Sequence, residues 1–249
     1  MKTPGAGPDS ALVAAARRLR RGADALRFAP PVGGVYDPLR YAGAVYEAYL
    51  RRFAASPKRT VFLGMNPGPW GMAQTGVPFG EVAAVRDWMG LEGPVARPAS
   101  THPRLPVLGF GCTRSEVSGR RLWGLMRERF GDPASFFREH LVMNYCPLLF
   151  LDGAGRNLTP DRLRREDRDR LFPLCDAHLA AVVEALRPAW LVGVGGFAEA
   201  RIREAAEAGG WTGVRVARIP HPSPASPAAN RDWAGLATRA LEESGVWKA

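Results

Sequence analysis

Four short apolar runs, widely separated along the chain, constrain the fold more than any other feature of the sequence. They occupy residues 60–65, 141–143, 190–194 and 214–219 and are rich in β-branched and aromatic residues, as buried strands are. A stretch long enough to hold a helix separates each run from the next, which favours crossover connections between parallel strands. The sequence therefore predicts an α/β fold: a three-layer α/β/α sandwich with a central four-stranded, mainly parallel sheet.

Helical patterns occupy most of the remaining chain. Apolar residues recur at helical spacing in residues 9–28, 37–53, 82–89, 121–130, 159–186, 196–208 and 232–241, whereas residues 94–111 are rich in Pro and Gly and are expected to be irregular. Ser10 and Thr159 are candidate N-caps. We expect a single domain over residues 1–249, with residues 1–55 as helical packing on its outside.

Polar side chains stand where the predicted strands end. Asn66 follows the first strand, Asn144 the second and His221 the fourth, while the third runs into Gly195 and Gly196. Ligands of open α/β sheets bind beyond the carboxyl ends of the strands, so we expect two amides and an imidazole on one rim. No carboxylate belongs to this set, and the sequence therefore offers neither a Ser/His/Asp triad nor a metal-ligand cluster there.

The connection after the first strand, residues 64–81, is dense in turn-forming residues. It contains five glycines, which let the backbone approach a ligand closely, and three prolines, which stiffen it. Such a loop suits a shaped pocket, in which Phe79 is available to stack on a flat ring. A long surface connection is the plainer alternative.

An Asn side chain presents an acceptor and donors in one fixed plane, so it can recognise the edge of a flat amide-like ring, such as N3–H and O4 of uracil. Cytosine has the opposite pattern and would leave buried groups unpaired. Residues 193–196 suggest a second hypothesis, a dinucleotide-binding turn, but they come late in the chain and lack the full glycine spacing and the acidic residue that follows it. We interpret them as close packing of a helix on the sheet.

The net charge of +10 makes a nucleic-acid partner a reasonable hypothesis. A GC-rich genome would explain why only three of the 34 basic residues are lysines, but not why basic residues outnumber acidic ones. Arg114, Arg120 and Arg121 surround the start of a predicted helix, where a phosphate-facing edge and a solvated charged turn fit equally well.

The three cysteines are far apart and form no CxxC or CxxH spacing, which argues against zinc and iron–sulfur sites. We expect no metal and no cofactor. No apolar run of about 18 residues predicts a membrane span, and residues 1–30 lack the pattern of a secretory signal. The expected location is cytosolic.

Two long motifs resemble those of the single-strand-selective monofunctional uracil-DNA glycosylases. The first is residues 64–81, which begin Gly64-Met65-Asn66-Pro67-Gly68-Pro69, and the second is His221-Pro222-Ser223-Pro224 followed by Pro227 and Asn230. Residues 114–120, 144–148 and 156–160 match as well, so the similarity spans about residues 60–233. It implies the uracil-DNA glycosylase fold and cleavage, without a cofactor, of the N-glycosidic bond of uracil and 5-hydroxymethyluracil in DNA.

The resemblance also implies roles for individual residues. Asn66 would position the attacking water, and His221 would stabilise the departing uracil anion. Asn144 would recognise the edge of uracil, and Phe79 would stack on its ring. Met65 and Gly68 would line the pocket near C5 of the base. We expect further contacts to DNA from Arg114, Arg120, Ser223 and Arg231.

One position departs from the family pattern. Ala225 stands where members of the family carry an Arg that wedges into the duplex, so we expect single strands and mismatched duplexes to be preferred unless Arg231 substitutes for it. Trp70 stands where Phe is expected. The expected partner is DNA, and the expected protein is a monomer with no membrane contact, in a bacterial cytoplasm with the nucleoid.

Three alternatives stay open at this point. A related glycosylase acting on hypoxanthine or xanthine needs only a changed pocket residue. A nucleic-acid binder without catalysis is disfavoured because Asn66, Asn144 and His221 are all present. A dinucleotide-dependent α/β enzyme would use residues 193–196.

Overall fold

Seven strands form two sheets in residues 7–98 and 100–248, which the computed structural model describes. The strands are β1 (Val32–Tyr36), β2 (Thr60–Gly64), β3 (His140–Asn144), β4 (Leu149–Asp152), β5 (Asn157–Leu158), β6 (Trp190–Val194) and β7 (Arg215–Ile219). The central sheet has the order β3-β2-β6-β7, and each neighbouring pair is parallel. The predicted α/β fold with a four-stranded parallel sheet is confirmed.

Helices cover both faces of this sheet. They are α1 (Pro8–Asp24), α2 (Pro38–Tyr41), α3 (Gly43–Phe53), α4 (Met72–Thr75), α5 (Val117–Phe130), α6 (Pro133–Phe137), α7 (Arg165–Leu186), α8 (Gly196–Gly209) and α9 (Pro227–Glu243). From β2 the chain runs through α5 to β3, at one edge of the sheet. It then runs through α7 to β6, on the other side of β2, and through α8 to β7 at the opposite edge. Because such crossovers are right-handed, α5 lies on one face and α7 and α8 on the other.

The direction of the strands determines where a site can form. Gly64 at the end of β2 is paired with Asn144 at the end of β3, and Val194 of β6 is paired with Ile219 of β7. All four carboxyl ends therefore meet at one rim. The connections that leave β2 and β3 go to opposite faces, which opens a crevice between them.

A second, antiparallel sheet of the order β1-β4-β5 was not predicted. Its strands are short, and β1 contains Gly33 and Gly34, which weaken the strand pattern in the sequence. Packing explains the first of these glycines, because a Cβ on Gly33 would lie 2.8 Å from the backbone nitrogen of Gly153.

Two predicted helices differ in the structure. The helix predicted over residues 37–53 is divided at Ala42, where the backbone leaves the helical region between α2 and α3. The long helix begins at Arg165 rather than at residue 159. Pro160–Arg162 form only a 3₁₀ turn, and Thr159 makes no side-chain capping bond. A proline favours the first turn of any helix, so the pattern at Thr159 and Pro160 marks the start of this short 3₁₀ turn and not of the long helix.

Other helix boundaries shift by a few residues. Ser10 lies inside α1, whose N-cap is Gly7, so the predicted cap is wrong. The helix predicted over residues 82–89 is a π-helical turn at Ala84–Trp88. The last helix has two parts that meet in a kink at Asp232, where the backbone is not helical. The first part begins at Pro227, where the Ser226 hydroxyl accepts a hydrogen bond from the backbone of Ala229 at 3.3 Å. The second part corresponds to the predicted helix from residue 232, and the Asp232 carboxylate accepts a hydrogen bond from the backbone of Gly235 at 2.9 Å.

Candidate active site

Gly64, the last residue of β2, allows two of the predicted site residues to meet. A Cβ atom on Gly64 would lie 2.5 Å from Cε2 of Phe79 and closer still to Oδ1 of Asn144. Any larger residue would displace the phenyl ring or the amide. A glycine is therefore required at this point by close approach, and it places Phe79 and Asn144 side by side over the end of the strand.

Asn144, at the end of β3, has a carboxamide that is only partly satisfied. The residue is buried, with 8% of its surface exposed. Its Nδ2 donates to Sδ of Met72 at 3.2 Å, and a thioether is a weak acceptor. Its Oδ1 is buried without a hydrogen-bond partner among the residues that the structure describes. An unpaired buried acceptor costs about 1–3 kcal/mol, so this oxygen indicates a ligand that donates a proton to it.

Phe79 is positioned by its backbone. Its φ of 53° lies in the left-handed region, which is uncommon for residues other than glycine. Its carbonyl oxygen accepts a hydrogen bond from the indole nitrogen of Trp123 at 3.1 Å. Gly119 approaches the same oxygen so closely that a side chain there would collide with it. Helix α5 thus holds the strained residue that presents the ring to Asn144.

His221 lies two residues beyond β7 and reaches back over the rim to Phe79. The two ring centroids are 6.2 Å apart, with an angle of 42° between the planes. Gly195, with a φ of 92°, leaves the room for this approach, because a Cβ there would lie 3.1 Å from Cβ of His221. Burial lowers the pKa of His221, so the imidazole is neutral at pH 7 and donates through a single N–H.

Asn66 is fixed by the chain that follows β3. Its Nδ2 donates to the carbonyl oxygen of Leu148 at 3.1 Å, which sets the plane of the amide and directs Oδ1 away from that carbonyl. The preceding residue, the half-buried Met65, accepts a hydrogen bond from the backbone nitrogen of Cys146 at 2.9 Å. The segments after β2 and β3 therefore continue to pair beyond the sheet, which holds Asn66 and Asn144 in a fixed relation.

A carboxyl group that the sequence analysis did not assign lies behind this loop. Glu116, the N-cap residue of α5, is so close to Gly68 and Gly71 that a side chain on either would collide with it. Burial raises the pKa of Glu116 to about 7, although backbone N–H groups of Trp70 and Gly71 oppose the shift. Glu116 stands in the charged segment 114–121, which is typical of a solvated turn, so no local sequence signal indicates its burial.

Two of the predicted DNA contacts come from the same segment. Arg114 is exposed, and its guanidinium carbon lies 4.2 Å from the centroid of the Trp70 ring. Arg120 is exposed and donates to the hydroxyl of Ser115 at 2.7 Å. Trp70 stands where the family pattern has Phe, and its larger ring makes a cation–π contact that supports Arg114 beside the first motif.

The other two predicted DNA contacts lie near the second motif. The half-buried Ser223 accepts a hydrogen bond from the backbone of Ala225 at 3.1 Å, which shapes the turn after His221. Arg231 is exposed in α9. Arg121, which was grouped with the arginines of the first segment, instead contacts the second motif: it donates to the carbonyl of Pro222 at 3.1 Å.

Three further sequence hypotheses concern glycine packing, metal binding and membrane spans. A Cβ on Gly193 would collide with the backbone of Glu199, so close packing of helix α8 on the sheet is confirmed at this glycine, whereas Gly195 makes room for His221. Over residues 7–98 and 100–248, no three His, Cys, Asp or Glu side chains lie close enough to hold a metal ion. Within the same ranges, no helix is both long and apolar enough to cross a membrane.

The site combines groups suited to a flat, amide-like ring. It offers a phenyl face, an unpaired carbonyl oxygen, an amide N–H and a neutral imidazole N–H. Donors of this kind stabilise negative charge that develops on a leaving group. Neither amide can remove a proton from water, so the geometry favours a reaction in which the leaving group departs before water attacks.

Known proteins with similar sequences identify the family of the chain. Residues 52–242 match the family model of the uracil DNA glycosylase superfamily. The chain is 49% identical over 229 residues to the single-strand selective monofunctional uracil DNA glycosylase of Mus musculus, over 92% of this chain and 82% of that one. It is 50% identical over 221 residues to the same enzyme of Bos taurus, over 89% of this chain and 81% of that one.

A solved structure supports the fold independently. The crystal structure of wild-type Pedobacter heparinus SMUG2 matches with a TM-score of 0.68 over 93% of this chain and 97% of that chain, and at 15% identity it supports the fold alone. The two curated relatives and the superfamily match settle the assignment that the site suggests. The chain belongs to the uracil-DNA glycosylase superfamily and, within it, to the single-strand-selective monofunctional uracil-DNA glycosylases.

Proposed function

We propose that the protein is a DNA-repair glycosylase that hydrolyses the bond between uracil and deoxyribose and leaves an abasic site. The observation that carries the proposal is the buried, unpaired Oδ1 of Asn144 beside the ring of Phe79. N3–H of uracil is the donor that this oxygen lacks. When the base enters, Nδ2 exchanges the weak acceptor Sδ of Met72 for O4 of the ring.

The same pair of contacts discriminates against cytosine. Cytosine presents an acceptor at N3 and a donor at position 4, so both groups of Asn144 would face a group of the same kind. A mismatch of this type leaves buried polar groups unpaired and disfavours the wrong base by a factor of about 10⁴ or more. Phe79 stacks on either base and contributes affinity without selectivity.

The chemistry depends on stabilising the leaving group. The glycosidic bond breaks through an oxocarbenium-like sugar, and the neutral imidazole of His221 donates to the uracil anion as it departs. Asn66, whose Nδ2 is held by Leu148, uses Oδ1 to position the water that then attacks the sugar. No cofactor takes part in these steps.

The pocket also accommodates 5-hydroxymethyluracil. The resemblance places Met65 and Gly68 near C5 of the ring, and Gly68 carries no side chain that could fill the space there. A base reaches this pocket only after it leaves the stack, which costs least in single strands and mismatches. Ala225 is exposed and too small to fill the gap in a duplex.

The substrate proposal extends to partner and location. DNA is the partner, contacted by Arg114, Arg120, Ser223 and Arg231, and the enzyme acts on it as a monomer. We place it in the cytoplasm of a bacterium, with the nucleoid. Salt dependence tests the contacts: replacing one phosphate-binding arginine reduces the slope of log K against log salt by about 1.

Base release from defined oligonucleotides tests the activity. Single strands that carry one uracil, 5-hydroxymethyluracil, hypoxanthine, xanthine or cytosine are incubated with the protein, and abasic sites are cleaved with alkali. We expect release of the first two bases only. Asn66→Ala should lower turnover of uracil on the order of 100-fold with little change in DNA affinity, whereas the exposed Asn157→Ala serves as the control. Preferred release of hypoxanthine or xanthine would indicate a related glycosylase, and no release of any base contradicts catalysis.

Substrate context tests the strand preference separately. Uracil in a single strand and in a G·U mismatch should be released faster than uracil paired with adenine. Ala225→Arg supplies a side chain that can fill the gap in the duplex and should raise turnover opposite adenine, by about tenfold, more than turnover in a single strand. Equal rates for the wild type on all three substrates would remove the assigned effect of Ala225.

A further inference from the structure

The segment that carries His221 is poor in backbone hydrogen-bond donors. Pro220, Pro222 and Pro224 have no N–H, and two of them flank the histidine directly. Side chains from elsewhere supply most of the donors to the carbonyl oxygens of residues 220–224: Trp233 to Pro220 at 2.8 Å, Arg121 to Pro222 at 3.1 Å and to Ser223 at 3.3 Å, and Asn230 to Pro224 at 2.9 Å. Two weaker or local donors share the middle carbonyls, because the Ser118 hydroxyl donates to Pro222 at 3.4 Å and the backbone of Ser226 donates to Ser223 at 3.1 Å. The conformation of this segment therefore depends on helices α5 and α9.

Arg121 makes the largest share of these contacts. Nη1 of the half-buried guanidinium bonds two consecutive carbonyls, and Nη2 donates to Oδ1 of Asn230 at 2.8 Å. Asn230 in turn donates to Pro224, so Arg121 also orients the side chain that holds the far end of the segment. A guanidinium offers its donors in a rigid planar fork, which a lysine ammonium cannot reproduce.

The imidazole of His221 depends on this support. The ring of Phe79 lies beside it and Gly195 leaves room for it, and no side-chain hydrogen bond to the imidazole is found among the described residues. Helix α5 also holds Phe79, because Trp123 donates to its carbonyl at 3.1 Å. The stacking ring and the histidine are thus positioned from the same two turns of one helix.

We propose that Arg121 is a positioning residue, which sets the place of His221 over the uracil through the carbonyls of Pro222 and Ser223 and does not bind DNA phosphate; this rests on the role of His221 proposed above. An electrostatic donor stabilises a leaving group only at hydrogen-bond distance, and a displacement of about 1 Å costs on the order of 100-fold in rate. The effect of losing Arg121 therefore falls on the bond-breaking step.

Single-turnover release of uracil from a single strand tests the proposal. Arg121→Gln should lower the rate on the order of 100-fold, with DNA affinity and its salt dependence unchanged. Arg121→Lys should recover part of the rate, since one ammonium replaces part of the fork. Arg127→Gln, an exposed arginine later in α5, is the control and should match the wild type. Weaker DNA binding with a salt slope reduced by about 1, at an unchanged rate, would make Arg121 a phosphate contact and overturn the proposal.

A double-mutant cycle separates positioning from general loss of structure. If Arg121 acts through His221, Arg121→Gln should change the rate less than about threefold in a His221→Ala background, because the group it positions is absent. Independent effects that multiply would overturn the proposal. Thermal unfolding monitors the fold of each variant, and Arg121→Lys carries the cycle if Arg121→Gln does not fold.

The titration of His221, followed by NMR, keeps this proposal distinct from the proposed function. Burial lowers the pKa of His221, so release of the segment in Arg121→Gln should raise that pKa toward 6.5 as the ring gains access to water. This result does not require turnover. A wild type without glycosylase activity would refute the function alone, whereas an unchanged His221 titration in Arg121→Gln would refute the positioning role.

Discussion

The two loops that form the site are stabilised in different ways. The first loop, residues 64–81, is largely buried and has hydrogen bonds within itself as well as bonds from its surroundings: every residue from 71 to 80 is buried, and the hydroxyl of Thr75 donates to the carbonyl of Gly80 at 2.8 Å and accepts from the backbone of Val77 at 3.2 Å. The second loop, residues 220–226, is half-exposed, and its carbonyls take hydrogen bonds from α5 and α9.

The difference in how the two loops are stabilised follows from their glycine and proline content and agrees with the proposed role of each loop. Glycines let the first loop fold tightly on its own backbone, which suits a pocket that must discriminate one base from another. Prolines remove three of the backbone donors of the second loop, so its shape depends in large part on donors from α5 and α9, while its tip, with Pro224 and Ala225, stays exposed to meet DNA. Substitutions in the first loop should therefore damage stability and activity together, and those around the second loop should damage activity alone.

The largest effect is expected where the first loop meets β3. Gly64→Ala places a Cβ against Oδ1 of Asn144 and 2.5 Å from Phe79, so both base contacts move. We expect a loss of kcat/KM of at least about 100-fold and of about 1–3 kcal/mol in stability. Uracil release and chemical denaturation measure the two.

The matched control for this substitution is Gly124→Ala in α5. No atom lies within 4 Å of a Cβ at Gly124, so the variant should keep full activity and gain up to about 1 kcal/mol. Activity of Gly64→Ala within threefold of the wild type would show that the first loop adjusts to an added Cβ without loss of function. The first loop would then not be the more rigid of the two.

A smaller effect is expected from Thr75→Ala, which removes a bridge inside the first loop. The backbone groups of Gly80 and Val77 lose their partner in a buried place, so stability should fall by about 1–3 kcal/mol. Uracil release should fall with it, on the order of tenfold, because Phe79 adjoins this turn. Denaturation and kinetics on the same preparation check the two together. Lost activity at full stability would contradict a stabilising role of the hydrogen bonds inside the first loop.

The sequence predicted the central sheet and the rim because both depend on local signals. Buried parallel strands appear as continuous apolar runs, and their carboxyl ends must lie on one edge, so Asn66, Asn144 and His221 could be grouped before any coordinates. The antiparallel sheet escaped because β1 lies more than a hundred residues before its partner β4 and carries two glycines that weaken its pattern.

Side chains that support the site were harder to predict, for a physical reason. Glu116 and Arg121 stand in one charged segment, where exposure to solvent is the usual outcome. One turns inward because Gly68 and Gly71 leave space for it, and the other because the second loop is poor in backbone donors. Both causes lie in parts of the chain distant from the segment itself, so the pattern of residues within the segment cannot predict them.

Asn230→Ala sharpens the comparison on the side of the second loop. The exposed Asn230 donates to Pro224 and accepts from Arg121, so its loss frees the end of the loop beyond His221. We expect kcat for uracil to fall about tenfold while stability changes by less than about 1 kcal/mol, since the groups exposed can bond water. Kinetics and denaturation measure this split. A stability loss as large as that of Thr75→Ala would mean that the two loops do not differ.

The smallest effect on activity is expected from Glu116→Gln, which tests how the first loop meets α5. The pKa of Glu116 is raised to about 7 from an ordinary value of 4.5, chiefly by burial and also by the nearby Glu81. Between these values the folded protein retains a proton that the unfolded chain has released, so raising the pH through this window removes stability from the wild type. The substituted side chain has no carboxyl proton to lose, and its amide oxygen can still accept from the backbone of Trp70 and Gly71.

The stability of Glu116→Gln relative to the wild type should therefore rise by about 1–3 kcal/mol between pH 5 and pH 8, with uracil release at pH 6 within threefold of the wild type. Urea denaturation at several pH values measures the difference. Because Asp37, His140 and His178 also have shifted pKa values, the comparison uses the difference between the two proteins, in which those contributions cancel. A difference that stays constant with pH would show that Glu116 is ionised in the fold, and the first loop would then rest on a charged contact rather than on its own packing.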